Sequence, residues 1–286
     1  MITLRTVAGL RDAVHAARGA SKRIGLVPTM GAFHRGHLSL VQRARERCGF
    51  VVVTLFVNPA QFNESADLAR YPRDEVGDAE LAKSVGADVL FAPSVDEVYP
   101  RGYVTTVEVA PLAQPLEGIV RGTQHFTGVA TVVTKLLNMA QPDEAFFGQK
   151  DAQQALIIRR LVRDLDFPVR IEVCPTVREP DGLAMSSRNA LLDAESRRRA
   201  PALSRALFAV ANAVAGGETN VKAAMSSGQS ALVEAGIEAE YFAAVSAETL
   251  APVDVVEGET LVAIAARFGN VRLIDNVIVG VGNAAP

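Results

Sequence analysis

The sequence predicts an α/β protein: a Rossmann-like, doubly wound parallel sheet joined to a smaller α+β domain. Three features predict it. Short β-branched runs alternate with segments of helical periodicity through the first part of the chain, as in strand–helix–strand units of a parallel sheet. Polar, glycine-bearing stretches follow three of the predicted strands, and an open parallel sheet binds its ligands at the carboxyl ends of its strands. Near Thr176 the character changes, and 286 residues exceed what one small core usually serves. The boundaries read from the sequence are residues 1–175 for the Rossmann-like domain and 176–286 for the smaller α+β domain.

The elements follow in order. Ile24–Val27 is an apolar strand that runs into Pro28-Thr29, and His37–Arg47 is a helix with Leu38, Val41 and Ala44 in helical spacing. Val51–Val57 is a strand closed by Asn58-Pro59, since Pro59 has no N–H to give a ladder. Helix Asp74–Val85, strand Val89–Phe91, strand Tyr103–Val109, helix Val129–Met139, strand Ala145–Phe147, helix Ala152–Leu165 and strand Val169–Val173 complete the first domain. A polar loop, "REPDGLAMSSRNA", then leads to a helix with Leu203, Ala206, Leu207 and Val210 at helical spacing. Strand-like runs follow at Ala239–Val245, Thr260–Ala266 and Val271–Val279.

Bulk composition narrows the functional classes. Hydrophobic residues make up 49% and charged residues 21%, values ordinary for a soluble globular protein. A net charge of −3 gives no electrostatic reason to bind nucleic acid or an anionic membrane. The longest apolar runs are strand-sized, and the N-terminus lacks a signal-peptide core. Cys48 and Cys174 have neither metal nor redox spacing, which suits reduced thiols in the cytoplasm. Arg197–Arg199 read as the solvated face of an amphipathic helix.

The chemistry concentrates in loops. In "GLVPTMGAFHRGHLSLV" two of the chain's four histidines, His34 and His37, sit where a strand hands over to a helix. A helix N-terminus offers unpaired N–H groups and the positive end of the dipole, and so suits a phosphate. With the helix starting near Arg35–Gly36, both imidazoles can point at one anion and donate to charge building on a phosphoryl group. Gly31 and Gly36 permit close approach. A shared metal ion is the rival reading, with no third ligand evident nearby; two surface histidines at a helix start is the plainer one. "VVVTLFVNPAQFN" places Gln61 past the next strand, where its amide can donate and accept. "EAFFGQKDAQQALIIRRL" sets Gly148, Lys150 and Asp151 at another strand-to-helix turn, an arrangement suited to clamping phosphate although not a Walker A sequence. In "GLAMSSRN", Ser186 and Ser187 can bond phosphate oxygens and Arg188 can grip them in bidentate fashion; a helix-capping loop is the alternative. His125 either caps its helix or reaches into the crevice.

"PTMGAFHRGH" resembles the H-x-G-H signature of the nucleotidyltransferase superfamily, and "MSSR" is similar to the mobile phosphate-binding loop those enzymes carry later in the chain. Together with "FVNPAQF", "YPR", "HFTGVATVVTKLLN", "FGQKDAQQ", "PTVREPDGLAMSSRN" and "RLIDN", the chain resembles the pantoate–β-alanine ligase family over nearly its whole length. That resemblance implies an ATP site formed by Met30, Gly31, Ala32, Phe33, His34, Arg35, Gly36 and His37, by Gly148, Gln149, Lys150 and Asp151, by Val177, and by Met185, Ser186, Ser187 and Arg188. It implies that Gln61 and Gln154 hold pantoate, with Gln61 also serving β-alanine. His37 would be the catalytic histidine, with His34 and Lys150 offsetting phosphoryl charge beside it. It further implies ATP as substrate with Mg2+ on the triphosphate, a pantoyl adenylate intermediate, a cytoplasmic homodimer, and a place in pantothenate and coenzyme A biosynthesis. The apolar run Val104–Val109 is available to the dimer contact. Gln149 stands where the family usually has Glu, Ala152 where it has an aromatic residue, and Phe33 where it has Leu. Gly77 beside Asp78 reduces an acidic pair, so no protein ligand for magnesium is assigned. The alternative functions are a nucleotidyltransferase that keeps the nucleotide on its product, and a non-catalytic nucleotide-binding protein.

Overall fold

The computed structural model describes residues 1–63 and 65–280. Its chain forms two compact units: Met1–Gly148 with Ile157–Pro175, and Gln149–Leu156 with the chain from Thr176 onward. The first unit is therefore not the unbroken 1–175 that the sequence suggests, because Gln149–Leu156 packs with the second.

The first unit holds six parallel strands: β1 (Ile2–Leu4), β2 (Ile24–Val27), β3 (Phe50–Thr54), β4 (Val89–Phe91), β5 (Glu144–Gly148) and β6 (Arg170–Cys174), in the order β1-β4-β3-β2-β5-β6. The chain winds outward from β2 through β3 to β4, then crosses back to lay β5 on the other side of β2. The order of winding thus reverses between β2 and β5, and the carboxyl ends of these two strands flank the switch point where such sheets bind ligands. Strands β2 and β4 are buried along their whole length, as both faces of a parallel sheet are covered. Val27, Val41, Ala44, Val51, Val53, Leu90 and Phe146 share one of its cores with Cys48 and Cys174. Both cysteines are free and buried. Burial pushes their thiols up, that of Cys174 to about 11, so neither is a poised thiolate.

One strand here is not expected from the sequence, and one expected strand is absent among the described residues. Ile2–Leu4 is an edge strand too short to leave a periodic signal. Tyr103–Val109, read as a strand, joins no sheet among the described residues. Gly102, at φ +87, turns the chain into this segment, and the Val107 N–H goes to the Thr131 hydroxyl at 2.9 Å instead of a ladder. Val104 is 89% exposed. Strand propensity without a partner edge does not make a strand.

The second unit is an antiparallel sheet, β7 (Ala239–Ser246), β8 (Thr260–Phe268) and β9 (Val271–Val279), in that order. Its core joins Val262, Ile264, Leu273 and Val277 of the sheet to Leu203, Ala206, Leu207 and Val210 of helix Ala202–Ala215. The helical spacing read from the sequence is thus its buried stripe. Gly228 of helix Val221–Glu234 allows the close crossing, since a Cβ there would lie 2.6 Å from the Ala206 carbonyl oxygen. The arginine run is more than a solvated face: Arg197 pairs with Glu179 and Asp181, and Arg199 donates to the Ala235 and Gly236 carbonyls.

Candidate active site

The turn after β2 is tied to the end of β3. The Thr29 N–H donates to the Thr54 hydroxyl at 3.1 Å, the Thr29 hydroxyl donates to the Thr54 carbonyl, and Phe56 N–H donates to the Thr29 carbonyl at 3.1 Å. Past that anchor the backbone takes two successive left-handed residues, Gly31 at φ +93 and Ala32 at φ +54. Gly31 is required there: besides its φ, a Cβ would fall 2.6 Å from Leu55 Cδ1 and 2.8 Å from Asp78 Oδ2. The turn aims two N–H groups at one carboxylate. Ala32 donates to Asp78 Oδ2 at 2.9 Å and Phe33 to Oδ1 at 2.7 Å, and Asp78 is buried.

The helix begins at Arg35, with His34 as its N-cap. His34 Nδ1 accepts from Gly36 N–H at 3.1 Å, and His37 Nδ1 accepts from His34 N–H at 3.4 Å, a capping box written in imidazoles. The rings lie 4.2 Å apart between centroids, and the Phe33 ring lies 5.6 Å from that of His37. A neutral imidazole carries one N–H, so with both Nδ1 atoms accepting, each proton resides on Nε2. The cap therefore turns both histidines into Nε2–H donors at the positive end of a thirteen-residue helix.

Gln61 belongs to the same cluster. It closes the 3₁₀ turn Pro59–Gln61, which Asn58 caps through Ala60 N–H at 3.2 Å. Asn58 Nδ2 donates to Gln61 Oε1 at 3.1 Å and to the Gly128 carbonyl at 3.1 Å, while Tyr99 OH donates to Asn58 Oδ1 at 2.8 Å. With its Oε1 accepting from Asn58, the Gln61 amide turns its nitrogen the other way, where it donates to Met30 Sδ at 2.9 Å. His125, the third residue of helix Thr123–Ala140, joins this cluster: its Nδ1 meets the Gln61 carbonyl oxygen at 2.8 Å. Gly128 lets this helix in, since a Cβ there would lie 2.2 Å from the Ala60 carbonyl oxygen. Lys135 Nζ sits 4.4 Å above the Tyr103 ring and 5.7 Å from that of Tyr99. Burial pushes the Lys135 ammonium down and the Tyr99 phenol up, so the Tyr99 hydroxyl keeps its proton for Asn58.

The remaining sequence-predicted residues lie on the second unit, apart from Gly148, which ends β5 in the first. Gln149–Asp151 form a 3₁₀ turn in which Lys150 Nζ is 3.4 Å from Asp151 Oδ1. Gln149 Nε2 donates to Asn276 Oδ1 at 2.9 Å; the nitrogen that a glutamate would lack makes this bond. Ala152 is buried at the start of helix Ala152–Asp164, and Gln154 is the third residue of that helix. Val177 accepts from Met185 N–H at 2.9 Å, so these two predicted residues are neighbours across a narrow loop. Ser186 does act as a cap, its hydroxyl accepting from Arg188 N–H at 3.2 Å at the head of the turn Ser187–Leu191. Arg178 pins the base of the loop. It reaches Asp275 at 2.6 and 3.1 Å and the Gly182 carbonyl at 3.1 Å, with its guanidinium 4.8 Å above the Phe208 ring. Burial pushes the Asp275 carboxyl up, against the pull of Arg178.

Sequence reasoning missed Asn58, Asp78 and Asn276. Asn58 could have been found as the cap residue before Pro59. The other two are far in sequence from what they hold, and only a folded backbone reveals them. Among the described residues no group of three or more His, Cys, Asp or Glu is arranged to hold a metal ion. Asp78, whose carboxylate faces the histidine turn, has both oxygens engaged by backbone N–H.

A doubly wound sheet with paired histidines capping a helix at its switch point defines a nucleotide-handling protein of the H-x-G-H kind. Comparison with known proteins makes this specific. Residues 2–278 match the family described as pantoate-beta-alanine ligase. A pantothenate synthetase of Cereibacter sphaeroides is 53% identical over 275 residues, covering 96% of this chain and 98% of its own. One from Moorella thermoacetica is 50% identical, covering 99% and 100%. The crystal structure of pantothenate synthetase from Thermus thermophilus matches with a TM-score of 0.91 at 48% identity, covering 98% of this chain and 100% of that one. A Francisella tularensis pantoate-beta-alanine ligase complexed with beta-gamma ATP and beta-alanine matches with a TM-score of 0.75 at 33% identity, covering 97% of each chain. The chain belongs to the pantoate–β-alanine ligase family. It is an ATP-dependent ligase, and the reading in which a nucleotide stays on the product is not favoured.

Asp78→Asn tests the turn. The amide can accept from only one of the two N–H groups and sets its own donor against the other. Urea unfolding is expected to show a loss of about 1–3 kcal/mol, the cost of a buried unsatisfied donor; unchanged stability would show that the two bonds contribute nothing.

Proposed function

We propose that the protein condenses pantoate with β-alanine in two half-reactions, with the residues named above in distinct roles. In the first, a pantoate carboxylate oxygen attacks the α-phosphorus of ATP, the bond to the bridging oxygen breaks, and pyrophosphate leaves. In the second, the β-alanine amine attacks the acyl carbon of pantoyl adenylate and loses a proton. AMP departs with the electron pair of the broken carbon–oxygen bond. Activation is needed because a free carboxylate is a poor acyl donor and the mixed anhydride carries a good leaving group.

The observation that carries this reading is the imidazole capping box, which makes Nε2–H donors of His34 and His37 at a helix N-terminus. Negative charge gathers on phosphoryl oxygens as the first step proceeds, and fixed donors of this kind offset it without reorganising. Lys150, Ser186, Ser187 and Arg188 serve the same charge from their own turns, and Met30–His37, Gly148–Asp151, Val177 and Met185–Arg188 make up the ATP-binding set. Gln61, whose amide nitrogen carries a second N–H besides the one directed at Met30, suits the oxygen atoms of pantoate and the carboxylate of β-alanine, and Gln154 assists with pantoate. Mg2+ enters with the ATP substrate, since this ion keeps several of its waters and takes phosphate oxygens as ligands in nucleotide sites.

The active form is a homodimer in the cytoplasm. Its support is the run Val104–Val109, rich in β-branched residues and without a sheet partner among the described residues, near in sequence to exposed Ile119. No helix among the described residues is long and apolar enough to cross a membrane.

ATP–pyrophosphate exchange that requires pantoate, followed by AMP release only with β-alanine, tests substrate, intermediate and order together; exchange independent of pantoate would sink the proposal. His37→Ala and Lys150→Ala are each expected to slow adenylation by about 10²–10³-fold or more with folding intact, the scale of one lost charge donor. Near-normal turnover in either purified variant removes that residue from the mechanism. In Gln61→Ala the damage falls on substrate capture, and normal KM values for both pantoate and β-alanine would contradict its role. Sedimentation is expected to give twice the monomer mass; a monomer at working concentration refutes the dimer.

A further inference from the structure

The "RLIDN" stretch has no part in the roles above, yet in the structure it lies in β9, which packs against both the turn Gln149–Asp151 and the turn Ser187–Leu191. Successive residues of a strand face opposite ways, so Asp275 and Asn276 serve different neighbours. Asp275 points to the side of Leu273 and Val277, where it holds Arg178 at the base of the loop that ends in Ser186–Arg188. Asn276 points to the other side. Its Nδ2 donates to two successive carbonyl oxygens, that of Gln149 at 3.0 Å and that of Lys150 at 2.9 Å.

This arrangement leaves the amide no freedom. Two carbonyl acceptors force Nδ2 toward the turn, so Oδ1 must face away from them, and there it accepts from Gln149 Nε2 at 2.9 Å. Asn276 is 4% exposed, so no water can replace these three bonds without opening the unit. Both bonded carbonyls flank the Cα of Lys150 along the chain, the atom from which the ammonium is delivered.

We propose that Asn276 is a positioning residue for ATP adenylation: its side-chain amide locks the Gln149–Lys150 backbone and thereby sets where Lys150 presents its charge. The inference rests on the reading of Lys150 as a phosphate-binding residue. An amide is needed, because only a donor–acceptor pair in one planar group can satisfy two carbonyls and one N–H at once. Aspartate has the shape without the donor, and alanine has neither.

The test uses the full chain and pantoate-dependent ATP–pyrophosphate exchange, with ATP and pantoate varied separately. Asn276→Asp and Asn276→Ala are expected to raise the ATP KM or lower the exchange rate by on the order of tenfold, equivalent to about one hydrogen bond. The pantoate KM should stay within about twofold of the parent chain, a split that general loosening would not produce. Amide hydrogen exchange at residues 150–152 should quicken in both variants while that of β2 and β3 stays unchanged. Should Asn276→Asp fail to fold because it sets a second carboxylate beside Asp275, Asn276→Ala, which buries no charge, decides the matter. A folded Asn276→Ala with parental ATP kinetics and parental exchange at the turn overturns the proposal. If the parent chain shows no pantoate-dependent exchange, the functional reading has failed, and the hydrogen-exchange comparison still judges the clamp alone.

Discussion

Two backbone N–H groups, those of Ala32 and Phe33, must be satisfied in a partly buried turn, and the Asp78 carboxylate takes both. The other features of the histidine loop depend on this bond pair. It holds Ala32 in a conformation that a side chain adopts at a cost, and it fixes the direction in which the chain enters helix Arg35–Arg47. Gly31 follows from it, since the carboxylate occupies the space a Cβ would fill. His34 then falls at the N-cap with its ring folded over Gly36 N–H, and His37 one turn later closes the box. The backbone N–H groups of Gly36 and His34 then leave each imidazole its proton on Nε2.

The same economy recurs at Gln61 and Lys150. In both places a buried asparagine fixes a short 3₁₀ turn after a strand, and the residue proposed to meet substrate is a near neighbour of what the asparagine holds. Asn58 has Tyr99, Ala60, Gln61 and the Gly128 carbonyl as partners; Asn276 has Gln149 and two carbonyls. A planar amide with donors on one side and an acceptor on the other has one satisfied orientation in such surroundings. Fixed donors stabilise developing charge more than mobile ones because they need no reorganisation during the reaction. This gives a physical reason for the investment in buried polar groups beneath loops that carry exposed ones.

Family membership accounts for the activity, and the residues account for how this chain meets its demands. Gln149 has an amide nitrogen for Asn276 Oδ1, and Phe33 lays a ring against His37. Ala152 fills a buried position at the head of its helix without an aromatic ring.

The sequence by itself determined the fold class, most elements of both sheets and the residues able to carry charge, because these depend on short-range pattern. Apolar runs end at Pro28 and Pro59, the helical spacing of Leu203 to Val210 sets a buried stripe, and His34 and His37 stand one turn apart. It misjudged Tyr103–Val109, where propensity met no partner strand, and it missed β1, whose three residues carry no period. Tertiary structure alone decided that Asp78 braces the histidine turn, that His125 holds the Gln61 carbonyl, that Gln149–Leu156 joins the second unit, and that Asn276 clasps the Lys150 turn. The bonds among these span from 45 to 127 residues of chain. No local pattern encodes which distant backbone group a polar side chain will meet.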